Sequence, residues 1–169
     1  PYSNGDLVEC AKGCGYNCRY CMVSNTSKPL RQAPYEKVEK LIDKCGDTLL
    51  PFALDLSCYK NKDKIFNKAI ESHKHCRVSS IRMNIVTPEN ISKLKEMGVT
   101  KLTTAVETYD PKLFKAYNKN LDYNKLLDNI LYLSKNFPYL RIYMIGNNVH
   151  ENPEYATEFL LALDNIASN

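Results

Sequence analysis

Three cysteines near the beginning of the chain have the spacing of a metal-cluster ligand set. Cys14, Cys18 and Cys21 follow a C-x3-C-x2-C pattern. Thiolates grouped in this way bind iron–sulfur clusters, and three of them fill three corners of a cubane. Gly13 and Gly15 flank the first cysteine and let the backbone fold tightly around the sulfur atoms. A fourth local cysteine is absent, so the pattern predicts one iron that is open to an outside ligand.

Two other kinds of site are compatible with the same three cysteines. In a structural zinc site, His73, His75 or another cysteine supplies the fourth ligand. In an electron-transfer protein, a remote cysteine closes the cluster. Zinc ligands usually come as two separated pairs, and a simple electron carrier needs less scaffold than this chain has. We therefore favour the open cluster.

The chain has seven cysteines, an odd number that cannot all pair in disulfides. Cys58 follows a predicted strand and is our candidate catalytic residue, as a reactive thiol, a hydrogen donor or a ligand of a second metal. The alternative is an ordinary free cysteine. Cys10 and Cys45 lie in a predicted strand and an amphipathic helix, where cysteine usually acts as a small hydrophobic side chain, so we assign them no chemistry.

The cysteine loop follows the first of several short apolar segments that alternate with amphipathic stretches. This alternation predicts successive βα units around a parallel sheet, either an open doubly wound sheet or an arc of an (αβ) barrel. In both folds, ligands bind at the carboxyl ends of the strands. The predicted strands are residues 7–11, 52–56, 78–83, 101–107 and 140–145.

Proline and glycine mark the predicted helix ends. Thr87, Asp110 and Asn152 each precede a proline and are predicted N-caps. Gly46 and Gly98 each follow an amphipathic stretch, and both are predicted to adopt the left-handed conformation that ends a helix. Further helices are predicted at residues 63–73, 123–136 and 153–166.

Composition and charge restrict the class of protein. With 169 residues, of which 44% are hydrophobic, the chain is long enough for one domain with a real core. Its apolar runs are far shorter than a membrane span, so we expect no membrane association. The N-terminus lacks the basic flank and apolar stretch of a signal peptide, which favours the cytoplasm. The net charge of +4 is spread along the chain and is weak support for nucleic-acid binding.

The cysteine spacing resembles the signature of the radical S-adenosylmethionine (SAM) superfamily, in which an aromatic residue, here Tyr20, usually precedes the third cysteine. The resemblance implies a 4Fe-4S cluster held by Cys14, Cys18 and Cys21. In that family the open iron chelates the amino and carboxylate groups of SAM. An electron from the cluster cleaves SAM to methionine and a 5'-deoxyadenosyl radical, which abstracts a hydrogen atom.

The resemblance extends over nearly the whole chain. Residues 80–89 and 94–99 resemble the third βα unit of family members, residues 105–108 and 117–119 the fourth, and residues 142–146 the fifth. This implies an α/β fold, a partial (αβ) TIM-like barrel of about five to six parallel βα units. Within the superfamily, the chain is most similar to members that accompany cobalamin-binding domains or modify macromolecules.

The resemblance also implies SAM-binding residues at the strand ends. The chain lacks the Gly-Gly-Glu turn that many members have after strand two, and Asp55 or Ser57 would take its place. The backbone carbonyl of Tyr20 would meet the adenine, which Ile145 and Gly146 would flank. The other implied SAM contacts are Arg82, Asn84, Glu107 and Thr108.

Several expectations about the whole enzyme follow from the resemblance. Residues 1–169 would form a radical SAM core domain, truncated at one or both ends. The reaction would be SAM cleavage that drives methylation, methylthiolation or related C–H chemistry on a small molecule, peptide or RNA. A flavodoxin- or ferredoxin-type protein would supply electrons. Cobalamin from a domain outside this chain is a further candidate cofactor.

Overall fold

The computed structural model describes residues 5–78, 80–146 and 148–168. Its strands are β1 (Asp6–Glu9), β2 (Ala11–Lys12), β3 (Arg31–Gln32), β4 (Thr48–Phe52), β5 (His75–Cys76), β6 (Lys101–Glu107) and β7 (Tyr139–Met144). Its α-helices are α1 (Val23–Thr26), α2 (Tyr35–Lys44), α3 (Lys62–Glu71), α4 (Pro88–Glu96), α5 (Pro111–Tyr117), α6 (Leu126–Asn136) and α7 (Pro153–Ala167). Short 3-10 helices lie at Leu56–Cys58, Met83–Ile85 and Tyr123–Lys125.

The parallel strands within the described ranges form two sheets. The first has the order β1-β4-β5, with Asp6 opposite Leu49. The second pairs β6 with β7, with Lys101 opposite Tyr139. A small antiparallel pair, β2 with β3, lies beside the cysteine loop. Each parallel strand is followed by a helix, which confirms the predicted succession of βα units.

The predicted strand at residues 78–83 is wrong for the described part of that segment. The nearest strand, β5, ends at Cys76, and the extended residue Arg82 precedes a 3-10 helix that begins at Met83. The N–H of Ile81 donates to the carbonyl of Thr103 at 2.8 Å, so the segment touches β6 at one backbone bond. A ladder cannot continue because the 3-10 turn begins two residues later. The two sheets are therefore separate at this point.

The predicted strand at residues 52–56 lies four residues too late, since β4 spans Thr48–Phe52. The side chain of Asp55 explains the early end. Its Oδ1 accepts the N–H of Ser57 at 2.9 Å and caps the following 3-10 helix, so the backbone leaves the extended conformation. The strand at residues 101–107 is confirmed, and the first and last predicted strands are each shifted by one or two residues.

The predicted helix caps at Thr87, Asp110 and Asn152 are confirmed, because each side chain accepts a backbone N–H from the first turn of its helix. Gly98 has a φ of 74°, as expected for a left-handed helix stop. The same prediction for Gly46 is wrong. Helix α2 ends instead at Cys45 in an extended conformation, with φ −69° and ψ 150°.

The helices cover one face of the strands and build the core there. Leu102 and Val106 of β6 belong to the same buried cluster as Leu126 and Ile130 of α6. Alternate residues of β7 point away from this cluster and are exposed: Tyr139, Arg141 and Tyr143. None of the helices in the described part of the chain is long and apolar enough to cross a membrane.

Candidate functional site

The three cysteines lie on the loop between β2 and α1, and hydrogen bonds fix its backbone. The N–H of Cys21 donates to the carbonyl of Cys18 at 3.1 Å. The buried Ser24 hydroxyl reaches the carbonyls of Cys18 and Cys21, each at 2.8 Å. The second and third cysteines are therefore held in one turn, while Cys14 enters from the strand side.

The same loop is attached to the end of α5. The N–H of Arg19 donates to the carbonyl of Tyr117 at 2.9 Å, and the amide of Asn118 donates to the carbonyl of Asn17 at 3.1 Å. Asn118 is the left-handed C-cap of α5, with φ 52°. The cysteine loop and the helix after β6 are distant in sequence, and these bonds bring them to the same end of the sheet.

Gly13 meets the expectation that the loop requires a small residue, whereas a Cβ at Gly15 would make only ordinary contacts. Gly13 has a φ of 82°, and a Cβ at that position would lie 2.2 Å from the carbonyl oxygen of Ser27. A Cβ on Gly15 would lie 3.4 Å from the Sγ of Cys58. The first position excludes any other residue without a backbone shift, whereas the second brings the backbone close to a fourth thiol.

Cys14, Cys18 and Cys21 line one pocket at the carboxyl ends of the strands, with a volume of about 360 Å³. No trio of His, Cys, Asp or Glu side chains in the described ranges is already arranged around a single metal ion. A cubane cluster makes a different demand, because each cysteine binds its own iron and the thiols surround the cluster instead of converging on one point. The other charged and aromatic lining residues are Tyr20, Asp55, Arg82, Glu107, Lys119, Arg141 and Tyr143.

Buried polar atoms without hydrogen-bond partners also mark this pocket. In the described part of the chain these atoms are Nε and Nη2 of Arg82 and the hydroxyl of Thr104, and both residues line the pocket. Buried donors in folded proteins are almost always satisfied by protein, ligand or ordered water, so these atoms are free to bind a polar group in the pocket. The donor set of three thiols and the unpartnered guanidinium N–H groups fit an anionic cluster together with a carboxylate-bearing cofactor.

Arg82 is held by groups that leave those two nitrogens free. Its guanidinium lies 3.7 Å from the ring centroid of Tyr16, and its Nη1 lies 3.8 Å from the Sγ of Cys18 and 4.0 Å from a carboxylate oxygen of Asp55. Only 8% of the side chain is exposed. A cation is thus fixed beside Cys18, the second cysteine of the loop, without full compensation of its charge.

Asp55, Ser57 and Asn84 form one hydrogen-bonded chain through Tyr16. The Ser57 hydroxyl donates to Asp55 Oδ1 at 2.5 Å and lies 3.2 Å from the Tyr16 hydroxyl, which accepts the Asn84 amide at 2.8 Å. The structure therefore brings three of the predicted cofactor residues together. Of these, Asp55 lines the cysteine pocket, whereas Ser57 and Asn84 lie behind it.

Glu107 ends β6 in a strained conformation, with φ 73°, next to a register shift in the β6–β7 ladder. Its Oε1 accepts bonds from Lys119 Nζ at 2.6 Å and from the Tyr20 hydroxyl at 3.0 Å. Lys119 also donates to the carbonyl of Ala105 at 2.7 Å. Burial lowers the pKa of Lys119, and Glu107 opposes that shift. Burial, and then the charge of Glu107, raise the pKa of Tyr20.

Thr108, Ile145 and Gly146 are not among the residues that line the pocket. The hydroxyl of Thr108 donates to Glu151 at 2.6 Å, and Thr108 is buried. The N–H of Ile145 donates to the carbonyl of Glu107 at 2.7 Å, which places Ile145 directly beside the strand end. Gly146 is exposed, and nothing lies within 4 Å of a Cβ at that position.

Cys58 lies beside the cysteine loop, where its thiol interacts with Cys14 and the backbone of Gly15. Burial is the main cause that raises its pKa to about 11, while the bond from Gly15 opposes the shift. The histidines considered as zinc ligands lie elsewhere, since neither His73 nor His75 lines the cysteine pocket.

Sequence reasoning missed Tyr16 and Lys119 as site residues. Tyr16 stands between the first two cysteines, and an aromatic side chain inside a ligand loop was the available signal. Lys119 follows the left-handed end of α5, and its role depends on a contact with Glu107 across twelve residues. A local pattern does not reveal such a contact.

Solved structures of cobalamin-dependent enzymes resemble this chain. The methyltransferase TsrM from Kitasatospora setae, with cobalamin and a [4Fe-4S] cluster bound, superposes with a TM-score of 0.76 at 11% identity over 95% of this chain and 34% of its own. The enzyme OxsB, with aqua-cobalamin and SAM bound, gives a TM-score of 0.68 at 16% identity over 93% of this chain and 26% of its own. At these identities the likeness shows the fold, and this chain spans about a third of the first protein and about a quarter of the second.

A comparison with curated protein sequences finds no match. The family model of the Radical SAM superfamily matches residues 8–160, which include the cysteine loop and all the parallel strands from β4 to β7. The chain belongs to the radical SAM superfamily.

Proposed function

We propose that this chain is the core of an enzyme that binds a 4Fe-4S cluster and cleaves SAM reductively. Membership of the superfamily implies both cofactors. When bound, they supply one-electron cleavage of SAM to methionine and a 5'-deoxyadenosyl radical, which abstracts a hydrogen atom from the substrate. The observation that carries the proposal is the gathering of the three cysteines and the unpartnered Arg82 nitrogens in one pocket.

Cys14, Cys18 and Cys21 hold the cluster in this proposal, and the protein contributes their fixed positions. Ser24 supports the carbonyls of the second and third cysteines, so their thiols need little reorganisation on loading. Arg82, near Cys18, places a positive charge beside the negative ligand set. The absence of a fourth cysteine in the loop leaves room for SAM at the remaining iron.

The polar groups of SAM meet complementary groups of the chain. The buried guanidinium of Arg82 binds the carboxylate, because its Nε and Nη2 are donors without partners. Asp55 accepts from the amino group, with Ser57 and Asn84 supporting it through Tyr16. Oε1 of Glu107 accepts hydrogen bonds from Lys119 and Tyr20. Within the described residues, its Oε2 therefore stays available for the ribose or amino group of SAM.

Tyr20, Thr108, Ile145 and Gly146 remain predictions as SAM contacts. Tyr20 lines the pocket, which supports the proposed adenine contact of its carbonyl. Thr108 lies outside the lining, and we propose that it positions Glu107 from the following residue. Ile145 bonds to the carbonyl of Glu107, and this supports a place for it and Gly146 beside the adenine.

We propose Cys58 as a hydrogen donor on the basis of its position. Its thiol lies against Cys14 and Gly15 of the cysteine loop. It lies beside Cys14 and follows Asp55 of the pocket, so it is close to the reaction site without belonging to the ligand loop. We therefore keep Cys58 as the candidate catalytic residue.

The reaction class is methylation, methylthiolation or a related C–H modification of a small molecule, peptide or RNA. The likeness to a methyltransferase and to a second cobalamin-dependent enzyme supports this class and supports cobalamin bound by a region outside the chain. We further propose that residues 1–169 act as one core domain in the cytoplasm, reduced by a flavodoxin- or ferredoxin-type protein.

Anaerobic reconstitution with iron and sulfide, followed by SAM and dithionite, tests the function. We expect 5'-deoxyadenosine and methionine by mass spectrometry, and loss of both cluster and products when Cys14, Cys18 and Cys21 are all replaced by alanine. Cys58→Ala is the matched control and should retain the cluster. Zinc without iron, or a cluster that neither binds nor cleaves SAM, would refute the proposal. Loss of the cluster in Cys58→Ala would make Cys58 a fourth ligand and exclude the open iron.

A further inference from the structure

A second pocket lies in the gap between the two sheets, next to β5 and the amino-terminal part of β6. Its volume is about 530 Å³. It forms because β5 and β6 are not paired within the described ranges. We call it the gap pocket, and its basic lining residues are His75, Arg77, Lys101 and Arg141.

The charges of the gap pocket are all of one sign. Three permanent cations and one histidine line it, and no acidic side chain of the described residues does. Arg77 and Lys101 form no salt bridge with an acidic side chain in the described part of the chain. Lys101 Nζ instead lies 5.9 Å from the ring centroid of Tyr139. Cations gathered without counter-charges attract anions.

Packing and hydrogen bonds fix two of these basic side chains at the pocket wall. His75 rests on Gly98, since a Cβ at that glycine would lie 2.3 Å from His75 Nδ1. Arg141 is held by two tyrosines on the same face of β7: its Nη2 donates to the Tyr139 hydroxyl at 3.1 Å and its Nη1 to the Tyr143 hydroxyl at 3.4 Å. The site is therefore shaped in advance and does not depend on freely rotating lysines alone.

The gap pocket and the cysteine pocket share two lining residues, Thr103 and Arg141. Tyr139 lines the first and Tyr143 lines the second, so the exposed face of β7 runs from one to the other. Four residues of strand separate these tyrosines, which corresponds to about 13 Å. A ligand held at the gap pocket can therefore extend to the reaction site.

We propose that the gap pocket binds a phosphate group of the substrate, whose other end lies in the cysteine pocket. This inference rests on the proposed function and names the substrate class, a compound with a phosphate about 13 Å from its reacting end, the spacing of Tyr139 and Tyr143 along β7. A carboxylate carries one charge and needs one arginine, whereas a dianionic phosphate uses several cationic donors at once. The three cations and His75 match the second requirement.

Calorimetric titration of the reconstituted protein with inorganic tripolyphosphate tests the site. We expect the double variant Arg77→Gln/Lys101→Gln to bind about ten-fold more weakly, because each of the two exposed cations contributes about three-fold to the affinity. The control double variant Lys40→Gln/Lys115→Gln removes the same charge from exposed positions outside both pockets and should change the affinity less than about two-fold. Thermal unfolding of both variants checks that they fold.

Equal losses in the two double variants, an unchanged affinity in the pocket variant, or wild-type binding weaker than about 1 mM would overturn the proposal. A ribonucleoside 5'-monophosphate and a short single-stranded RNA distinguish a free phosphorylated substrate from a nucleic-acid chain. If either compound competes with tripolyphosphate in the wild type and the control variant but not in Arg77→Gln/Lys101→Gln, the result supports a phosphate site. SAM cleavage is assayed in the same preparations. Cleavage without phosphate binding refutes the gap pocket alone, and phosphate binding without cleavage refutes the proposed function.

Discussion

Replacement of Arg82 by methionine separates a cofactor ligand from a structural cation. The guanidinium is 8% exposed, and two of its nitrogens have no partner, so the residue contributes less to folding than a fully bonded arginine would. If these nitrogens bind SAM, the substitution damages binding and spares the fold. If Arg82 only holds Tyr16 and Asp55, it damages the fold and spares binding.

The expected magnitudes follow from the contacts. Loss of the stack on Tyr16, at 3.7 Å, costs about 1–2 kcal/mol of unfolding free energy, and removal of two buried unsatisfied donors returns a similar amount. We therefore expect the free energy of unfolding of Arg82→Met to lie within about 1 kcal/mol of the wild type. Loss of a charge-assisted bond to the SAM carboxylate costs about 1.5–3 kcal/mol, which weakens SAM about 10- to 150-fold.

Two measurements on anaerobic protein test these numbers: the melting temperature without SAM, and the rise in that temperature over a SAM titration. Arg31→Met is the matched control, because Arg31 is exposed on β3 and does not line the cysteine pocket. Arg82→Lys should restore part of the SAM affinity, since it keeps the charge and loses the fork of donors. A variant that melts far below the wild type and still binds SAM normally would refute the reasoning.

Further predictions concern the groups around the cluster. Glu107→Gln should lower the unfolding free energy by about 3 kcal/mol, because it leaves the Lys119 cation buried without its partner. In urea unfolding, the double variant Glu107→Gln/Lys119→Met should recover most of this loss. Additive losses in the double variant would contradict the prediction. Gly13→Ala should lower the free energy of unfolding by more than about 1 kcal/mol and reduce the iron content of the reconstituted protein. Gly146→Ala is the control and should do neither, because the space around its Cβ is open. Equal effects of the two substitutions on iron content and melting temperature would exclude a special role for Gly13. Ser24→Ala should cost about 1 kcal/mol and speed cluster loss to a chelator, and an unchanged loss rate would show that the two carbonyls need no support.

Local signals predicted much of this molecule. The N-caps at Thr87, Asp110 and Asn152 depend on a side chain and a proline that are neighbours in sequence, and all were confirmed. The strand at residues 101–107 is also predictable from local sequence, because its buried positions are apolar or β-branched and alternate with less buried ones. The cysteine loop is predictable because its three cysteines and two glycines lie within ten residues of each other.

Non-local contacts account for the errors and omissions. The segment at residues 78–83 has the composition of a strand, yet a strand requires a partner strand. Among the described residues of this segment, only Ile81 donates a backbone bond to β6. Lys119 has no sequence signal because its role comes from the strained turn at Glu107. The prediction that Gly46 ends α2 in a left-handed conformation is wrong because the chain already leaves the helix at Cys45, which is extended.

The two pockets differ in the state of their polar atoms, and this difference decides which one binds the cofactors. The gap pocket is the larger, but its cations are exposed and hydrated, so an empty gap pocket costs little. The cysteine pocket is smaller and contains the buried unpartnered atoms of Arg82 and Thr104 that are found in the described ranges. A buried donor that is left without a partner costs about 1–3 kcal/mol, so these atoms favour a polar group in this pocket, whether solvent or a cofactor. Tight cofactor binding is therefore expected at the cysteine pocket, and weaker, salt-sensitive binding at the gap pocket.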